Sequence, residues 1–405
     1  MYRYTSPVRH EEPFARDATT RLCYTALAAY AFWLYSFGPA LALMRSELHF
    51  SYTVLGTHSA LWSGGAALAG AGYAAAARRV PRVRLLWWSA LGATAGAALF
   101  VGAPTVSFTL LGAAVLGFAG TTMLTLTQAT LSDRHGSRRD RALTEANVGA
   151  AGCAVLAPLI LGLLHTATGT GWRLALVLPA VLLAGLYLRY RHRSLRHLPL
   201  RHTNTNTSTA TATGRREPLS PTCRVLATLV AASMGVEFCL VYFGAELLVS
   251  TGLGVAQAAT AMSTFYLGLL VGRVGGALLT RRSGRTVALL WTSLAVTTAG
   301  FLLVWLIGIP VLAVVGLLVC GLGVANLYPL SLALTLAAAP DNSDTANART
   351  QLLGGTVVTT APYLLGTLAD HVGLHAAFTI EAALLAGAAT LLLTGLTIGR
   401  RTREP

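Results

Sequence analysis

The sequence predicts an all-α polytopic membrane protein of about twelve transmembrane helices, built as two six-helix bundles related by a pseudo-two-fold axis. Three observations carry that prediction. Apolar residues make up 54% of the chain and charged residues 11%, whereas a soluble domain carries about 25% charged residues and cannot hide this much hydrocarbon from water. The apolar residues fall in runs that match a bilayer core about 30 Å thick, which takes roughly 20 residues of helix to cross. The first half of the chain also reappears in the second at a fixed offset of 204 positions.

In order, the runs span about 20–44, 53–77, 83–103, 105–130, 143–167, 171–190, 224–250, 255–280, 286–307, 309–338, 346–368 and 374–398. Backbone groups in lipid must be bonded within their own segment, and the alternation of a membrane barrel strand is missing, so each run reads as a helix. Residues 1–19 hold Arg3, Arg9, Arg16, Glu11, Glu12 and Asp17 with no apolar core and no small-residue cleavage site. They read as a tail, which leaves the first span to act as the membrane signal. Between the sixth and seventh runs, residues 191–223 include the threonine-rich HTNTNTSTATATG flanked by arginine. A segment so poor in bulky apolar side chains cannot bury enough surface to fold, so it reads as a flexible linker. It divides an N-terminal bundle, 1–190, from a C-terminal bundle, 224–405.

The net charge of +15 is decided by where the charges lie. All thirty basic residues are arginine, and all but Arg45 and Arg173 fall in the termini and the even-numbered connections, with Arg273 just inside a span. That is the positive-inside pattern, which predicts a cytoplasmic-membrane protein with both termini and the linker in the cytoplasm. No basic face interleaved with aromatics marks a nucleic-acid module. The five cysteines, Cys23, Cys153, Cys223, Cys239 and Cys320, have no paired spacing, so neither a disulfide framework nor a metal site follows. Asp370, His371 and His375 read as a solvated extracytoplasmic turn. No cofactor is implied, and the expected state is a monomer in the lipid bilayer.

The repeat pairs Gly64 with Gly268, Gly72 with Gly276, Arg78 with Arg282, Trp87 with Trp291, Gly117 with Gly321, and Ala157, Pro158 and Gly162 with Ala361, Pro362 and Gly366. One offset kept over about a hundred residues is the mark of an internal repeat. Six spans per half give both halves the same orientation, the arrangement of a transporter that rocks two bundles about a midplane site.

GRVGGALLTRRSGR, residues 272–285, resembles the signature that major facilitator superfamily transporters carry between the second and third helix of a half, G-x-x-x-D-(R/K)-x-G-(R/K)-(R/K). Gly276, Arg281, Arg282 and Arg285 fit it, with Arg273 just before; Thr280 stands where the acid is expected and the glycine comes one place late at Gly284. The first copy keeps Gly72, Arg78 and Arg79 but has Ala76 for the acid. The resemblance implies a cytoplasmic-gate motif at these residues. GTGWR, ending in Trp172 and Arg173, is similar to the family signal between the fifth and sixth helices. Drug/proton antiporters of the family carry an arginine four residues before a glycine in the fourth helix; before Gly117 that residue is Ala113. Of their fifth-helix motif, Pro158 and Gly162 are present and the preceding glycine is Ala157.

An ionisable group at the centre of a span costs about 2.5–3.5 kcal/mol or more, so each one is a functional candidate. Glu237 falls about halfway along the seventh span, on a helix that the resemblance places at the central cavity, where it reads as a proton carrier or a packing residue. Glu246 lies about 13 Å farther along an ideal helix. His58 and Glu145 are the other proton-coupling candidates; Glu145 stands opposite Arg349 in the repeat. Tyr30, Trp33 and Phe37 form an aromatic stripe that either packs or lines a substrate cavity, with Tyr266 and Asn326 as polar contacts. The implied function is secondary active transport of a small organic molecule with protons as coupling ion: export of a drug-like or natural-product compound, or alternatively uptake of a sugar-like or other metabolite. A membrane enzyme or receptor is the remote alternative, since no HExxH, GxSxG or nucleotide loop is present.

Overall fold

The computed structural model describes residues 15–102, 105–191, 219–280 and 285–401. Twelve long helices follow one another: α1 (Ala18–Leu48), α2 (Tyr52–Arg79), α3 (Arg82–Gly102), α4 (Val106–His135), α5 (Arg139–Thr168), α6 (Trp172–Tyr190), α7 (Pro221–Ser250), α8 (Val255–Leu279), α9 (Thr286–Ile307), α10 (Pro310–Ala337), α11 (Ser343–Val372) and α13 (Thr379–Arg401), with a one-turn α12 (Leu374–Ala377) before the last. No strand occurs among the described residues. Most of the linker, residues 192–218, lies outside them, as do Arg281, Arg282 and Gly284.

Local chemistry sets the helix ends. Asp17 caps α1 by accepting from Thr20 N–H at 2.8 Å, Ser51 caps α2, and Ser220 caps α7 ahead of Pro221 at the first helical position. Gly308, at φ +65°, ends α9 in the left-handed conformation that glycine adopts without strain. Several helices outrun their apolar runs: α4 continues through Asp133, Arg134 and His135, and α5 begins at Arg139 instead of 143. A 30-residue helix is about 45 Å long, more than the hydrocarbon needs, so its polar ends stand in the headgroup region. The expected twelfth run qualifies as one span, Leu374–Gly399, with a one-residue break in its helix at Phe378. By length and apolarity alone ten stretches qualify as spans, because Val106–Thr168 holds both α4 and α5, and α2 is too rich in glycine and polar residues to qualify.

Helices of the two halves pack in equivalent pairs: α3 on α4 as α9 on α10, α2 on α4 as α8 on α10, and α1 on α5 as α7 on α11. The repeat is visible in single atoms. A Cβ on Gly96 would meet Leu116 N and Gly112 O, and one on Gly300 would meet Cys320 N and Gly316 O. A Cβ on Gly117 would lie 2.2 Å from Trp62 O, and one on Gly321 2.2 Å from Phe265 O. Glycine is needed at these places because helices in lipid associate by close backbone approach. Two pairings are corrected: Gly72, in open space, matches the equally open Gly275 and not Gly276, which lies against Asn326. Gly65, not Gly64, matches Gly268: their Cβ positions meet Ala114 O and Leu318 O, whereas Gly64 has open space around it. Between α2 and α8 the structural offset is therefore one residue shorter than between α4 and α10.

The end where α1 begins is called the near end. The halves meet tightly toward the far end, again in symmetric fashion: Gly162 of α5 sits on Ala256 O of α8, and Gly366 of α11 sits on Tyr52 O of α2. Gly38 of α1 approaches Val241 O of α7. Toward the near end, α2, α5, α8 and α11 carry glycines with open space, among them Gly72, Gly149, Gly275 and Gly355.

A charged pair between the two halves

Glu237 and Arg273, read separately from the sequence as a proton carrier and as part of a gate motif, are brought together. Arg273 Nη2 lies 3.6 Å from Glu237 Oε1. Glu237 is residue 17 of the 30 in α7, about 24 Å from its start. Arg273 stands two helical turns before the end of α8 and reaches back toward α7. Tyr35 of α1 interacts with both charges, which places the pair on the face that the C-terminal half turns toward the N-terminal half. The Glu237 side chain is 15% exposed and the Arg273 side chain 51%. The guanidinium is thus only partly engaged by its carboxylate, at a distance longer than a charge-assisted hydrogen bond. Tyr266, two turns before Arg273 on α8, packs edge-on against Tyr35 at 5.0 Å between centroids, and its buried hydroxyl has no hydrogen-bond partner. Tyr35 was absent from the sequence candidates; a tyrosine inside an aromatic span carries no local signal of its role.

The other candidates occupy different places. Glu246 pairs with Arg45 of α1 at 3.2 Å, joining the halves nearer the far end, with Arg45 also stacked 3.8 Å from the Tyr52 ring. His58 is fully buried within the N-terminal half. Its ring nitrogens lie 2.8 Å from Val54 O and from Thr109 Oγ1, so both are occupied. Glu145 accepts from both Arg16 Nε and Nη2, at 2.8 and 2.9 Å, and from Tyr24 and Arg141, a network on one half at its near end. Outside the span, Arg16 is held above its usual range by that hydrogen bond and the charge behind it.

The aromatic stripe is packing over most of its length. Trp33 donates to Leu176 O of α6 at 2.8 Å, Tyr30 covers Gly120 and reaches Thr121, and Phe37 sits among Trp62, Phe100 and Tyr242. Asn326 donates to Gly272 O at 3.0 Å and lies against Gly276, so it binds α10 to α8. Arg78, Arg79 and Arg285 are exposed at the near end. The acid missing from the first gate motif is replaced from another helix, since Asp133 at the end of α4 accepts from Arg82 at 2.6 Å. Trp172 and Arg173 tie the start of α6 to Glu47 at the end of α1.

Asp370 is solvated, as expected, but it stands in a helix and not a turn, and it acts as a clasp. It closes the last turns of α11 and accepts from Tyr52 N–H at 2.8 Å and Thr53 N–H at 2.7 Å, at the start of α2 in the other half. Sequence reasoning also passed over Glu381, fully buried in α13 with neither carboxyl oxygen hydrogen-bonded.

Comparison with known proteins agrees with this architecture. The family model described as Major Facilitator Superfamily matches residues 22–245 and 225–405. No curated protein matches the chain in sequence. Among solved structures, a mutant of the nucleoside transporter NupG superposes with a TM-score of 0.75 at 15% identity, covering 94% of this chain and 99% of that one. A mutant of the peptide transporter POT in complex with sulfate gives 0.70 at 16% identity, over 97% of each chain. A bacterial homologue of the human lysosomal transporter Spinster, inward-facing and unoccupied, gives 0.67 at 15% identity, over 94% of each. With a family model spanning both halves and the fold in common with these transporters, the chain belongs to the major facilitator superfamily and is a multi-pass membrane transporter of small molecules, not an enzyme.

Proposed function

We propose that this transporter is proton-coupled, that Glu237 carries the proton, and that the near end faces the cytoplasm, with both termini inside the cytoplasmic membrane and the monomer as the working unit. The carrying observation is the Glu237–Arg273 pair: a carboxylate deep in its span and an arginine two turns from the end of its own, on the face between the halves, where a rocking motion would expose them to each side in turn. The arginine distribution supports the orientation. On that orientation, contacts concentrated at the far end correspond to a form closed toward the outside.

Two directions are open to such a site. The resemblance suggests export of a drug-like or natural-product compound in exchange for protons. The pair itself favours the second direction, uptake of a small metabolite together with a proton. In exchange, proton and substrate compete for the acid; here a built-in cation already occupies it. The α4 position at which the antiporters of the family place an arginine is Ala113, fully buried.

The test uses purified protein in sealed vesicles with a trapped pH dye, challenged with small organic acids, amines and neutral compounds. Substrate-dependent proton movement is expected in the wild type and lost in Glu237→Gln, which keeps the shape and removes the titration. Substrate exchange without a gradient should survive in that variant. Wild-type proton movement in Glu237→Gln would falsify the assignment.

A further inference from the structure

We infer that Arg273 is the anchor for the substrate, that the substrate is a small organic carboxylate with an apolar or aromatic body, and that its carboxylate and Glu237 compete for the same guanidinium. The inference rests on reading the space between the halves as the transport path. Its starting point is an imbalance. Arginine offers five donors in a fixed fork suited to bidentate carboxylate binding, yet Glu237 engages one nitrogen at 3.6 Å, the Tyr35 hydroxyl takes one further contact, and half of the Arg273 side chain stays exposed. A cation held inside a span marks a functional site, and the donors that Glu237 leaves over suit an anion. The surroundings fit the rest of the molecule. Tyr35 lies beside the guanidinium, Tyr266 packs edge-on against Tyr35, and the Tyr266 hydroxyl is a buried group still lacking a partner.

The competition fixes the sense of coupling. When Glu237 is ionised, it holds Arg273 and opposes a second anion. When Glu237 takes a proton from the water reaching the site, Arg273 is released to the substrate carboxylate. Protonation and anion binding then favour each other, and by linkage each raises the affinity of the other by the same factor. The groups that face this exchange are Arg273 and Tyr266 from α8 and Tyr35 from α1. Deeper in the C-terminal half, Cys239 of α7 and Cys320 of α10 each interact with Glu381 of α13. Proton and anion move together, so the net charge carried is zero.

The experiment reads binding at equilibrium on the purified full chain in detergent, with 1-naphthoate as probe and its amide and the corresponding naphthylmethylamine as controls. Thermal stabilisation and proton uptake in weak buffer are the readouts. Millimolar naphthoate should stabilise the wild type and draw up to one proton per anion bound, and the two controls should not. Arg273→Gln should weaken naphthoate binding by about tenfold or more, the scale of one lost charge-assisted contact, with Arg273→Lys between. Glu237→Gln should bind naphthoate at least as tightly as wild type, without proton uptake and without pH dependence. The double variant Arg273→Gln/Glu237→Gln leaves no unpaired charge; if it unfolds at the wild-type temperature yet fails to bind, misfolding is excluded as the cause. Equal stabilisation by the amide or amine, wild-type naphthoate affinity in Arg273→Gln, or no stabilisation by naphthoate overturns the inference. Because no gradient is applied, such a failure leaves proton coupling at Glu237 standing; normal proton movement in Glu237→Gln vesicles would remove the coupling and leave the anchor.

Discussion

Replacing Asp370 by alanine should open the far end of the molecule. One carboxylate on α11 satisfies two of the donors that α2 leaves free at its start, at 2.8 and 2.7 Å. It also sets a negative charge at the positive end of the helix dipole. Asp370 is exposed, so solvent screens the charge; a cap of about 1 kcal/mol and a dipole contribution of about 0.5 kcal/mol give roughly 1.5 kcal/mol. The contact joins two halves, so that stabilisation belongs to the closed form alone, and water replaces it when the halves part. Since about 1.4 kcal/mol is tenfold in an equilibrium constant, Asp370→Ala should raise the open population roughly tenfold. The reporter is a cysteine at Thr260, whose hydroxyl faces Gly162 across the other, symmetry-related contact between the halves. Its alkylation rate follows the open population, so even a rare state is read, provided the partly exposed Cys153 is first replaced by alanine. A tenfold faster rate is expected for Asp370→Ala and a smaller rise for Asp370→Asn, which keeps one acceptor. An unchanged rate in Asp370→Ala would show that the clasp does not contribute to closure.

Three further outcomes follow from the packing and the helix ends. Gly117→Ala should lower stability in detergent by about 1–3 kcal/mol, because its Cβ would sit 2.2 Å from Trp62 O; Gly72→Ala, in open space, should be neutral or slightly stabilising. Asp17→Ala should cost about 1 kcal/mol at neutral pH through the lost cap. Burial opposes the Asp17 charge, but hydrogen bonds from Thr20 and the Arg134 guanidinium outweigh it and hold the carboxyl below its ordinary 3.8. The contribution of Asp17 is therefore present above that pH and lost as pH falls through the lower folded value, so thermal melts of wild type and variant should converge in acid. Deleting residues 203–214 of the linker should leave insertion and transport nearly intact, measured by expression at the membrane and by the vesicle assay.

How much of this was legible follows from what is local. The spans and the arginine asymmetry depend on composition over about 20 residues, and the summed transfer free energy of such a window decides whether it enters lipid. The repeat was legible because Pro158 and Pro362, or Gly117 and Gly321, are strong markers in a bland background. Rotation was not. A span that is apolar all round carries no amphipathic period to say which face meets which neighbour. Hence Trp33, on the same helix as Tyr35 and only two residues away, turns to α6 while Tyr35 meets the charged pair.

The sequence by itself determined a helical membrane protein of two repeated halves, since hydrophobic burial in a bilayer is additive along the chain. The tertiary structure alone decided that Gly65 and not Gly64 is the contact glycine, because a helix advances about 100° per residue and a one-residue slip changes the face. It alone decided that Asp133 supplies the acid missing near Arg82, and that Asp370 caps a helix of the opposite half. It also brought Glu237 and Arg273 within 3.6 Å from two different helices. Electrostatic pairing depends on distance in space, and in a bundle that distance is set by the rotation and tilt of packed helices, which no window of sequence contains.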